Sequence, residues 1–107
     1  MTREELRQEV TELTDLMRED SDFADIRTIL AAQGLPPDET VLAGLISGED
    51  DRQYGVVITG AGECVLFETD ARGTLILWEP VDDLARLEGD FDAVAVGVEM
   101  KRNGEIS

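Results

Sequence analysis

Between Thr2 and Glu19 the apolar residues Leu6, Val10, Leu13, Leu16 and Met17 recur three and four apart, with Glu4, Glu5, Arg7, Glu9 and Glu12 between them. That period lines the apolar side chains along one stripe of an α-helix. Thr2 followed three residues later by Glu5 is a capping-box pair, so the pattern predicts a helix over residues 2–19. A second helix is expected from Ser21 or Asp22, both able to cap, and it aligns Phe23, Ile26, Ile29 and Leu30. Gly34 supplies a left-handed stop, and Pro36-Pro37 prevents continuation.

From Thr40 onward the period changes to two and β-branched residues take over. The expected strands are Thr40 to Ile46, Tyr54 to Thr59, Glu63 to Thr69, Thr74 to Glu79 and Ala93 to Met100. They are separated by residues 47–51, by Gly60-Ala61-Gly62 and by Asp70-Ala71-Arg72-Gly73, all short enough for antiparallel hairpins. Val81, Leu84 and Leu87 predict a helical turn capped at Asp82 or Asp83. In the fifth strand Val94, Val96, Val98 and Met100 occupy one face, and Ala93, Ala95, Gly97 and Glu99 the other. Asn103-Gly104 is a hairpin signal whose short return arm, Glu105-Ile106-Ser107, gives a sixth strand. The expected fold is therefore α+β, one domain over residues 1–107, with a helical front end (1–34) and a five- or six-stranded antiparallel meander sheet (35–107).

Cys64-Val65-Leu66-Phe67 and Leu75-Ile76-Leu77-Trp78 are apolar on both faces. A strand of that kind needs cover on each side, from the N-terminal helices, a twin or another protein. If a partner supplies it, the interface centres on Cys64, Leu66, Ile76 and Trp78, the tryptophan nearest the middle.

Composition narrows the partners. A chain of 107 residues can bury about 65% of its unfolded surface, enough for one core. Its 25 carboxylates against nine basic groups give a net charge of −16, which repels nucleic acid and anionic membrane alike. The basic set is eight Arg and the single Lys101; dense carboxylate with scarce lysine is what a high-salt, halophilic interior favours, because molar salt screens the self-repulsion. The other reading of the acidity is a face that docks a basic protein. The N-terminus lacks an apolar run, no stretch approaches a membrane span, and one cysteine suits a reducing compartment. A cytoplasmic protein is expected.

Candidate chemistry is thin. Histidine, the commonest general base and metal ligand, is absent. Glu88, Asp90 and Asp92 with Glu99 imitate the spacing of a calcium loop, but its sixth position needs glycine and here is Ala93. Glu49-Asp50-Asp51 and Asp82-Asp83 read as solvated loop charge. Gly60-Ala61-Gly62 leads into a strand, not a helix whose N-terminus faces an anion, and so reads as a hairpin turn. Cys64 has no base to activate it. No catalytic residue, cofactor or metal site is expected.

Residues 35–43 (Leu35-Pro36-Pro37-Asp38-Glu39-Thr40-Val41-Leu42-Ala43), Gly55 to Thr59, Val65-Leu66-Phe67 and Trp78 to Leu84 together resemble bacterial pleckstrin-homology-like domains over about residues 36–100. The resemblance implies a partial barrel whose open end the N-terminal helices cover, and a scaffold or protein-binding role. It carries over no binding residue. The family's lipid-binding branch conflicts with the charge, and Thr59-Gly60-Ala61-Gly62-Glu63 departs from the motif usual after the second strand. The functional expectation is a non-catalytic interaction module, binding itself as a homodimer or another protein. The alternative is an acidic inhibitor or immunity-type protein that neutralises a basic enzyme or mimics nucleic acid.

Overall fold

The computed structural model describes residues 2–87 and 89–106. Helix α1 spans Arg3–Glu19, and Thr2 and Glu5 form the reciprocal capping box that their spacing predicts. The second helix starts differently: Asp20, not Ser21 or Asp22, is the cap, its carboxylate accepting from the Asp22 N–H at 2.8 Å. A 3₁₀ turn, Ser21–Phe23, then runs into α2, Ala24–Ala32. Gly34 takes φ +75°, and Leu35 N–H donates to Leu30 O at 2.8 Å while Gly34 N–H donates to Ala31 O at 3.1 Å. This is a Schellman stop, sealed by Leu30 and Leu35 in one apolar cluster.

Four strands follow, β1 Val41–Ser47, β2 Gln53–Ile58, β3 Cys64–Thr69 and β4 Leu75–Val81, paired antiparallel in the order β1-β2-β3-β4. The hairpin turns fall where the glycines and aspartates place them; Asp70, for example, accepts from the N–H groups of Arg72 and Thr74, both at 2.9 Å. After a 3₁₀ turn at Leu84–Leu87, in which Asp83 accepts from Ala85 N–H at 3.0 Å, comes a third helix, α3, Val94–Arg102.

That third helix corrects the expected fifth strand at Ala93 to Met100. Ala93, Val94, Val96, Gly97, Val98 and Met100 are all buried, which imitates strand alternation among the valines. The exposed positions Asp92, Ala95, Glu99 and Arg102 recur three and four apart, the period of a helix. The expected sixth strand is corrected as well. Asn103 caps α3, Gly104 takes φ +71°, and Glu105 N–H donates to Met100 O at 2.9 Å, the same helix stop that ends α2. The described residues of the 35–107 region thus form a four-stranded sheet plus a helix. Glu88, in the calcium-like spacing, and Ser107, in the expected return arm, lie outside the described residues.

The sheet's two faces carry separate apolar clusters. Val41, Ala43, Val56, Ile58, Cys64 and Val81 face α3 and the 84–93 segment. Leu42, Val57, Val65 and Phe67 face Met17 of α1 and Ile26 and Leu30 of α2. Helix α1 serves both. Val10 joins the α3 cluster and Met17 the α2 cluster, so the helix runs along the β1 edge. Where it crosses, the ladder slips between Leu42 and Gly44, and buried Thr14 accepts from Leu42 N–H at 3.1 Å. Arg18 extends the seal, donating to the carbonyls of Pro37, Asp38 and Thr40 at 2.9 to 3.2 Å. The opposite edge, β4, is left open.

Candidate functional site

Register places Ile46, Tyr54, Glu68 and Leu77 side by side across the four strands on the α3 face, and Gly44, Val56, Leu66 and Glu79 in the next row. No α3 side chain lines the space above the first row. A groove of about 320 Å³ opens there, with Ile46, Tyr54, Leu66, Leu87 and Phe91 as its apolar lining and Arg86 and Asp90 at its mouth. Ile46 remains 38% exposed and Leu77 36%.

Each wall has a local cause. Phe91 packs against the sheet at Gly44 because that residue has no side chain: a Cβ there would stand 2.5 Å from Phe91 Cδ1. Its N–H donates to Leu87 O at 2.9 Å, which ties the two apolar side chains into one wall. Tyr54 packs on the β1–β2 turn, where a Cβ on Gly48 would come 2.8 Å from Tyr54 Cε2. The rim is charged. Arg86 bonds Glu79 at 3.3 Å and Arg52 pairs with Glu68 at 3.5 Å. Asp90 and the Glu49-Asp50-Asp51 turn have no ion-pair partner among the described residues.

At the other end of the same face a cleft of about 420 Å³ is lined by Glu63, Cys64, Val81, Asp82, Val98 and Arg102, among others. Cys64 is only 5% exposed. Burial pushes its thiol up from the ordinary range, while the positive charge of Arg102 pulls the other way. A protonated thiol is a poor nucleophile, and a chain without histidine offers it no imidazole base. Among the described residues no group of three or more His, Cys, Asp or Glu is placed to hold a metal ion, and no helix is long and apolar enough to cross a membrane.

The structure separates the four residues expected at an interface. Cys64 is buried in the α3-side cluster, and Leu66 is half-buried in the groove. Trp78 is on the opposite face, its ring 6.5 Å from that of Phe67 and tilted by 33°. Ile76 has no partner in the β3–β4 register, which shifts between Glu68 and Thr69, and is 48% exposed at the β4 edge. Of the four, only Leu66 lines the groove. The groove residues Ile46, Tyr54 and Phe91 were not singled out by sequence reasoning. The first two carry a signal in their alternation, since each sits next to the end of its strand. Phe91, between Asp90 and Asp92, carries none: only its packing on Gly44 shows its role.

No family model, curated protein or solved structure matches the chain.

Proposed function

We propose that the chain is a non-catalytic protein-binding module whose partner seats in the groove bounded by Ile46, Tyr54, Leu66 and Phe91. One observation carries the reading. The chain seals most of both sheet faces with its own helices and leaves apolar side chains uncovered at one corner. Leaving large apolar side chains in water forgoes about 1.5–3 kcal/mol for each that full burial would gain, and a contiguous uncovered set of this kind marks interaction surfaces.

The partner is a different protein in preference to a twin. A second copy brings another net −16 to a rim that is already acidic. The resemblance to pleckstrin-homology-like domains points to the same class of work and adds no site residue. On this reading Cys64 is a core residue, the second cleft has no catalytic task, and the protein works in a reducing cytoplasm.

The test is the substitution Ile46→Glu in the groove, beside Leu16→Glu as control; Leu16 is 42% exposed on α1. Unchanged circular dichroism with loss of a discrete partner from source lysate in the groove variant alone supports the proposal. Equal retention by all three proteins, or equal loss from both variants, overturns it.

A further inference from the structure

The rim of the groove adds a second kind of information, the charge of what it takes. Both guanidiniums near the apolar floor are engaged, Arg86 by Glu79 and Arg52 by Glu68. Asp90 lines the groove itself, and the Glu49-Asp50-Asp51 turn follows Gly48, where a Cβ would come 2.8 Å from Tyr54 Cε2. A smaller cleft of about 160 Å³ adjoins it at Phe91, sharing Asp90 and adding Glu9 and Asp92 to its lining. None of these six carboxylates has an ion-pair partner among the described residues. Unpaired negative charge therefore stands in the groove at Asp90, in the adjoining cleft at Glu9 and Asp92, and on the turn next to Tyr54.

Building on the proposed binding role, we infer that the occupant is a short segment of a partner protein that carries apolar anchor side chains flanked by Lys or Arg. The anchors enter the space over Tyr54 and Leu66, and the basic flanks face Asp90, Asp92 and the 49–51 turn. A second copy of the chain, an acidic segment or a nucleic acid would set like charge against this rim. Addition of the segment to the open β4 edge is the poorer geometry. Pro80 removes a ladder donor there, and the irregularity at Ile76 breaks the register, two devices that blunt edge pairing. The groove is small enough that a few side chains fill it, as in a segment laid into a cleft.

The experiment is a titration of the ¹⁵N-labelled chain with three synthetic peptides of about 12 residues: Leu and Phe anchors with Lys/Arg flanks, the same anchors with Glu flanks, and Lys/Arg flanks with the anchors replaced by Ser. The first is expected to shift the amides of Ile46, Tyr54, Leu66 and Phe91, and to weaken at least tenfold between about 50 and 500 mM salt. The Glu-flanked peptide is expected not to bind, and Ile46→Glu is expected to weaken the first peptide while leaving the fold intact. The inference is overturned by equal binding of the Glu-flanked peptide, by equal binding of the anchorless one, or by shifts centred on Glu4, Glu5 and Glu12 of α1. If the groove variant loses its lysate partner but no basic peptide binds, the binding role stands and the basic-segment inference falls.

Discussion

Gly97 shows at the scale of one residue how α3 is held on the sheet. A Cβ at that position would stand 3.0 Å from Ile58 Cδ1 and 3.2 Å from Ala43 Cβ, so the missing side chain sets the distance between helix and sheet. Gly97→Leu is expected to lower stability by about 1–3 kcal/mol through overpacking. In Gly97→Ala the tight contact is offset by a helix-propensity gain of about 1 kcal/mol, which leaves the variant within about 1 kcal/mol of wild type; denaturant melts distinguish the two. In the sequence Gly97 is one of several small residues in an alternating run, and nothing local separates a thin strand face from a helix pressed against a sheet. A second residue-scale device is the Arg7–Glu105 pair, which ties α1 to the chain just after α3. The Arg7 hydrogen bond holds the Glu105 carboxyl below the usual carboxylate range. A depressed folded-state value means that the pair's stabilisation is complete above the unfolded value, near 4.3, and is lost as pH falls through the folded value. Glu105→Gln is accordingly expected to trail wild type at pH 7 and to converge on it in strong acid. A gap that stays constant over that range would contradict the assignment.

At the scale of elements, the contact between α1 and β1 closes one edge of the sheet. Thr14 and Leu42 are both fully buried, and the Thr14 hydroxyl is the partner of Leu42 N–H where the ladder slips. Thr14→Val keeps the shape but strands that N–H, at an expected cost of about 1–3 kcal/mol. Thr14→Ser keeps the acceptor and should lose less, a difference that equilibrium unfolding measures. Elements whose ends are marked by local chemistry were legible in the sequence: α1 by Thr2 and Glu5, the end of α2 by Gly34, the hairpins by their Gly and Asp residues. Helix α3 was not, because burial on most of its circumference erased the apolar period, leaving only Asp92, Ala95, Glu99 and Arg102 to carry it. Asn103-Gly104 was ambiguous for a related reason. A glycine at positive φ ends a helix as readily as it turns a hairpin, and the preceding element decides which. The groove was legible only in part, since Ile46 and Tyr54 come together through register and stay open because no α3 side chain lines the space above them.

For the whole molecule the dominant quantity is charge. Among the described residues the ion pairs Arg3–Glu99, Arg7–Glu105, Arg52–Glu68 and Arg86–Glu79 engage four carboxylates, while the chain's net charge of −16 makes the surface repel itself. Screening that repulsion should stabilise the fold, so Tm is expected to rise from dilute buffer into molar KCl; relief of about 1 kcal/mol corresponds to roughly 4–8 °C in a domain of this size. A Tm that does not move would remove self-repulsion from the account. On the proposed reading, the same acidity selects what the uncovered corner takes, apolar on its floor and with Asp90 in its lining. The most direct test of that corner as the binding surface is photo-crosslinking with a photoreactive residue in place of Ile46, compared with one in place of Leu16 on α1. The account predicts a discrete partner adduct from position 46 that position 16 does not give. Equal adducts from both positions, or an adduct from position 16 alone, would contradict it.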